Sequence, residues 1–151
     1  MEQIGKINNR IISFVEFDTS KNWAKNFPNK NWCIIIIADE KNEKYFDEII
    51  RKSIDKNVAY ICSVGKQHEI IHNMADEEIV FREVDIDNLY LPKHNIITVG
   101  DENFENGIWF GIYLTQNEEI EIKEIVILDI TKNAKENLTE LVAKFENGYL
   151  P

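Results

Sequence analysis

Trp32-Cys33-Ile34-Ile35-Ile36-Ile37-Ala38 is apolar at every position and rich in β-branched residues, which predicts a central strand covered on both faces. Val58 to Val64 repeats the pattern and stops at Gly65. Between the two runs, Tyr45, Phe46, Ile49, Ile50 and Ile54 recur at helical spacing behind the polar stretch Asp39 to Glu43, which offers a cap and first-turn acids. Ile70, Ile71 and Met74 start a second helical pattern after Gly65. Asn95 to Val99 and Lys123 to Ile130 predict two further strands. Gly100-Asp101-Glu102 opens a helix over Phe104, Ile108, Trp109 and Ile112, and Ala134, Leu138, Leu141, Val142 and Phe145 stripe a last helix that ends near Gly148. Ile79-Val80-Phe81 reads as a short extra strand or an extended loop, and Arg82 to His94 as a charged connection. Residues 1–31 read as an edge strand, Ile11 to Phe17, with an appended polar loop from Asp18 to Asn31.

Strands that alternate with helices predict parallel pairing through crossovers. The expected fold class is α/β: one three-layer sandwich over residues 1–151, with a mostly parallel central sheet of about four to six strands and helices on both faces. Gly107 and Gly111 lie four apart on the third predicted helix, where their missing side chains let a neighbour approach closely, within the chain or in an oligomer.

Charge narrows the function classes. The chain of 151 residues carries 17 basic and 27 acidic side chains, a formal net charge of −10, so its mean field repels phosphate backbones and anionic lipids and attracts basic proteins. Nucleic acid and membrane are therefore not expected as partners. The polar start, Met1 to Arg10, and the short apolar runs point to neither a signal peptide nor a membrane anchor, and the expected location is cytoplasmic. Cys33 and Cys62 sit inside the apolar runs and read as reduced core residues.

In an open parallel sheet, ligands bind beyond the carboxyl ends of the strands. The residues there are Asp39 and Glu40, Ser63 and Gly65, Thr98, Gly100 and Asp101, and Asp129 and Thr131. Their carboxylates suit a hard cation such as Mg²⁺, and acids and hydroxyls at those places equally suit helix caps. His68-Glu69-Ile70-Ile71-His72 matches H-E-x-x-H, in which two histidines one turn apart hold zinc and the glutamate acts as general base. Asp76, one turn further along the same face, and His94 are the candidate third ligands, with Asp101 as another. No G-x-G-x-x-G or G-x-x-x-x-G-K-[ST] loop is present. Ser63 stands in Cys-Ser-Val-Gly and not in a G-x-S-x-G elbow, and Cys62 has only His68 and His72 as prospective cationic neighbours.

Trp32-Cys33 through Ala38-Asp39-Glu40, and Tyr60 through Gly65 to Glu69, His72, Asp76 and Glu77, resemble a family of small bacterial α/β domains of unknown function over the middle third of the chain. The resemblance implies an α/β fold and a focus at Glu69, His72 and Asp76. It also implies that the match to H-E-x-x-H is incidental, and it supplies no activity. The leading functional expectation is an acidic interaction protein of the immunity or inhibitor type, without cofactor, that binds a basic protein such as a toxin. Its binding residues would be Asp39, Glu40, Asp101 and the run Asp76-Glu77-Glu78, with the acidic stretches Glu83 to Asp87 and Glu118 to Glu121 beside them and Trp23, Tyr90 and Trp109 as aromatic anchors. The alternative is a metal-dependent hydrolase or small-ligand domain, with zinc or magnesium on His68, His72 and Asp76 and with Glu69 as base.

Overall fold

The computed structural model describes residues 1–84, 87 and 89–151. Among them the chain forms six strands and four helices: β1 (Glu2–Ile7), β2 (Arg10–Glu16), β3 (Trp32–Ile37), α1 (Glu43–Asp55), β4 (Tyr60–Val64), α2 (His68–Val84), β5 (Ile97–Asp101), α3 (Phe104–Tyr113), β6 (Glu124–Asp129) and α4 (Lys135–Glu146). The strands make one sheet in the order β1-β2-β6-β3-β4-β5, parallel except for the antiparallel β1–β2 hairpin. The α/β sandwich expected from the alternation is the fold observed.

The side-chain alternation of β3 divides the core. Cys33, Ile35 and Ile37 pack with Ile108 and Ile112 of α3 and Leu138, Val142 and Phe145 of α4. Trp32, Ile34 and Ile36 pack with Phe46, Ile49 and Ile50 of α1 and Ile71 and Ala75 of α2. A strand buried on both faces has no polar side to present, which is why the run is uninterrupted. Successive crossovers from β3 to β4 and β5 advance in one direction and share a face; the return from β5 to β6 reverses and puts α3 on the other. Gly107 and Gly111 serve this packing, because a Cβ on Gly107 would meet Val64 Cγ2 at 2.7 Å and one on Gly111 would meet Ile35. The close approach they permit is to the chain's own sheet.

Four expectations are corrected. Ile11 to Phe17 is not at an edge: β2 lies between β1 and β6, and the edge belongs to the polar stretch Glu2–Ile7. An edge strand facing solvent needs no apolar alternation, so its signal lay in the turn, where Asn8 and Asn9 take φ of 51° and 63° as a tight hairpin requires. The loop after β2 is no appendage either. Phe17, Trp23 and Phe27 are buried there, with Phe27 and Trp32 ring centres 5.1 Å apart and Tyr45 packed on Phe17 at 4.8 Å. Finally, Ile79-Val80-Phe81 is neither strand nor loop but part of α2, whose inner stripe continues past Ile71 and Ala75 to the buried Arg82. An apolar periodicity ends where an ion-paired arginine takes over the core-facing position, so the helix looked shorter than it is. Gly100 and Asp101 likewise close β5, and α3 starts later, capped by Asn103 Oδ1, which accepts from Asn106 N–H at 2.9 Å.

Candidate functional site

Three regions of the surface carry chemistry-bearing side chains. The first is the carboxyl end of the sheet. Because β3 leads on to β4 while β6 lies on its other side, the loops after β3 and β6 part and leave a crevice of about 430 Å³ lined by Asp39, Glu40, Asn42, Tyr45, Thr131 and Lys132. Most of the acids there are engaged locally. Asn42 Oδ1 caps α1 at Tyr45 N–H. Buried Asp129 accepts from the Thr131 N–H at 2.8 Å and from the Ala134 N–H at 2.9 Å, so it closes the start of α4. Asp101 Oδ1 accepts from Asn103 N–H at 2.8 Å. Asp39 Oδ1 takes a long bond from Lys66 N–H, 3.4 Å, beside Gly65, whose φ of +108° lets the chain turn under Ala38. Glu40 is exposed.

The second region is the groove between α2 and the edge strand β5, about 490 Å³, lined by His68, Glu69, His72, Asn73, Thr98 and Gly100. It brings His68, Glu69 and His72 to one wall, as their spacing predicts. The ring atoms point elsewhere than at a shared ion. His68 Nδ1 lies 2.9 Å from Gly65 O, and His72 Nε2 lies 3.1 Å from Thr98 Oγ1 and 3.2 Å from Asp76 Oδ2. Thr98 Oγ1 donates to Asp76 Oδ1 at 2.5 Å, so its lone pair receives the His72 N–H and the three side chains clasp α2 to β5. Among the described residues no group of three or more His, Cys, Asp or Glu side chains is placed to hold a metal ion. Ser63 Oγ is tied to His68 O at 2.8 Å, inside the sheet. Cys62 and Cys33 are buried free thiols, and burial, then the neighbouring Cys33, pushes the Cys62 thiol well above its usual range, so no thiolate is available there.

The third region is the outer face of α2, which sequence reasoning missed. At ~100° per residue, Val80 and Val84 stand about 180° and 220° round the helix from the buried Ile71. They are 55% and 71% exposed, with Phe81 at 54% beside them. Asp76, Glu77 and Glu83 are exposed on the same helix, and Leu89 and Tyr90 follow it, 41% and 51% exposed. The ridge is held rigid from below. Arg82 donates to Glu78 Oε1 at 3.0 Å, to Asp55 Oδ1 at 2.7 Å and to Tyr90 O at 2.8 Å. Burial works against its charge, yet the bonds to Asp55 and Glu78 outweigh it and hold the guanidinium above its ordinary value. Glu78 is thereby drawn inward, away from the acidic run Asp76-Glu77-Glu78, and Arg51 approaches it at 4.0 Å. Tyr90 is exposed as an anchor would be, with its hydroxyl bonded to Asn57 Oδ1. Trp23 is buried in the core, and Trp109 is half-buried on α3 with its indole N–H unbonded among the described residues. Of Glu83 to Asp87, the residues Asp85 and Ile86 lie outside the described residues. The available signal for the ridge was three apolar residues standing off the inner stripe of a helix, and it appears only once the segment is known to be helical.

Comparison with known proteins adds a family and no activity. The domain described as "Domain of unknown function (DUF7684)" matches residues 11–146, far more than the middle third on which the resemblance rested. No curated protein and no solved structure matches the chain.

Proposed function

Since the chain belongs to the DUF7684 family, a domain of unknown function, membership supplies a fold unit and no chemistry, and we propose that the protein is an acidic interaction protein of the immunity or inhibitor type that binds a basic protein partner. The observation that carries this reading is the exposed ridge of Val80, Phe81 and Val84 on α2, set among Asp76, Glu77 and Glu83. Contiguous apolar side chains left in water mark interaction surfaces, and an apolar centre with a charged rim is the anatomy of a specific interface. The net charge of −10 then selects a positively charged partner and speeds its encounter. The alternative, a zinc or magnesium hydrolase on His68, His72 and Asp76 with Glu69 as base, has His68, Glu69 and His72 on one groove wall in its favour and lacks a converging third donor among the described residues.

The test is capture of partners at low salt, followed by titration of the purified candidate against the wild type and the double variant Val80→Asp, Val84→Asp. A basic protein whose affinity falls at least about a hundredfold in the variant, and also falls as salt rises, is the expected result. A set of captured proteins that bind both forms alike sinks the proposal.

A further inference from the structure

We infer that the edge strand β5 is a docking strand, and that the partner adds a basic extended segment to it by backbone pairing. The inference rests on the interaction reading above and gives it a second contact of defined chemistry.

Backbone direction comes first. Ile97 N–H bonds to Ala59 O and Asp101 O receives Gly65 N–H, both on the β4 side. Consecutive residues of a strand point their peptide groups to opposite sides, so Thr98 and Gly100 turn theirs away from the sheet. Among the described residues nothing bonds those outward N–H and C=O groups. Edge strands in monomeric proteins are blunted by bulges, lysines, prolines or a covering element. The other edge of this sheet has such devices: β1 is bulged between Gln3 and Gly5 and carries Lys6. In β5, Ile97-Thr98-Val99-Gly100-Asp101, the register to β4 is regular, no lysine or proline is present, and Ile97 is 37% exposed. Its one charge, Asp101, is turned to the Asn103 N–H.

Charge identifies the occupant. Among the described residues, the two grooves that flank β5 contain the carboxylates of Glu69, Glu118 and Glu119 and no lysine or arginine. Asp76 adds a fourth through its bond to Thr98. An added strand would project alternate side chains toward these grooves, and arginine or lysine there meets carboxylates from both sides. A second copy of the chain meets the opposite condition, since pairing β5 with itself brings the same acids together in two chains of charge −10.

The probe is a synthetic peptide of roughly eight residues that alternates arginine with valine, compared with the same sequence N-methylated at every second residue so that it cannot pair along its backbone. The expected result is a slowing of amide hydrogen exchange by about tenfold or more at Thr98 and Gly100, with the unmethylated peptide only. Ile97→Lys, an exposed change that leaves the β4–β5 ladder intact, should weaken that peptide by roughly tenfold. Equal binding of both peptides, or protection elsewhere than β5, overturns the inference. So does concentration-dependent protection of Thr98 and Gly100 without peptide, which assigns the edge to a second copy. Failure here is distinguishable from failure of the interaction reading: a captured basic partner that needs Val80 and Val84 but is indifferent to Ile97→Lys leaves that reading standing and removes only the docking strand.

Discussion

The two edges of the sheet are built to opposite ends. At one, β1 folds back on β2 through Asn8-Asn9, is interrupted by a bulge between Gln3 and Gly5 and lies under α4, where Val142 fills the space a side chain on Gly5 would need. At the other, β5 runs straight beside β4 with α2 clasped to it and an open groove left between the two. The charged residues differ in the same sense. Lys135 Nζ meets Glu2 Oε2 at 2.8 Å over the β1 side, and burial hardly touches that pair; among the described residues the two grooves flanking β5 are lined by acids with no lysine or arginine. Closing an edge takes specific devices, and β5 lacks the bulge and the lysine that β1 has.

The largest effect expected on this comparison comes from unfastening α2, the helix that walls the open edge. Arg82→Met keeps most of the volume but strands Glu78, whose carboxylate is only 17% exposed, and gives up the bonds to Asp55 and Tyr90 O. Breaking one side of a buried ion pair costs about 3–5 kcal/mol, and the half-exposed Asp55 lowers the expectation here to ~3 kcal/mol. Denaturant unfolding measures it, as a shifted midpoint at unchanged slope. Hydrogen exchange should rise along α2 and β5 while β1 and β2 keep their protection; a uniform rise would mean that the two edges share one stability.

Next is Gly5→Ala, which attacks the closed edge. A Cβ there stands 2.6 Å from Val142 Cγ1 and 3.0 Å from Glu146 Oε1. Val142 is a buried, β-branched core residue that cannot swing aside, so overpacking of about 1–3 kcal/mol is expected, with exchange rising first in β1. A neutral result would show that α4 sits loosely on β1 and that the edge is closed by the bulge alone.

How much of this was legible beforehand differs by region for physical reasons. The strands buried on both faces, Trp32 to Ile37 and Tyr60 to Val64, and the helix behind Tyr45 and Phe46 announce themselves, because burial imposes a continuous or 3.6-residue apolar pattern. β1 does not, since only Ile7 of its side chains is buried and the rest are partly or fully exposed. The second half of α2 hides its period because Glu78 and Arg82 occupy core-facing positions as a salt-bridged pair, while the apolar Val80 and Val84 stand exposed off that stripe. The spacing of His68, Glu69 and His72 correctly put them on one wall; it could not show that His68 turns to Gly65 O and that His72 spends its Nε2 on Thr98 and Asp76. Arg10 carried no signal at all, yet it donates to Ile112 O and Thr115 O and so closes the carboxyl end of α3 against β2.

The smallest effect separates the two ways in which β5 is held. Thr98→Val removes the hydroxyl that receives His72 Nε2 and donates to Asp76 Oδ1, with little change of shape. If the backbone ladder to β4 carries the strand, the loss is small: Asp76 is half-exposed and water replaces the hydroxyl as its donor, His72 keeps Asp76 at 3.2 Å, and valine suits a strand at least as well as threonine. Stability should then move by no more than ~0.5 kcal/mol in either direction. The outward amides of Thr98 and Gly100 set the second reading, because their exchange in the free protein should stay fast in both forms while the inward Val99 amide stays slow. A loss of ~2 kcal/mol or more, with Val99 exposed to exchange, would mean that the side-chain clasp and not the ladder keeps β5 in the sheet. An edge held that way would be free to leave the sheet when a partner competes for His72 or Asp76, and it would no longer be a fixed template beside which another strand could be laid.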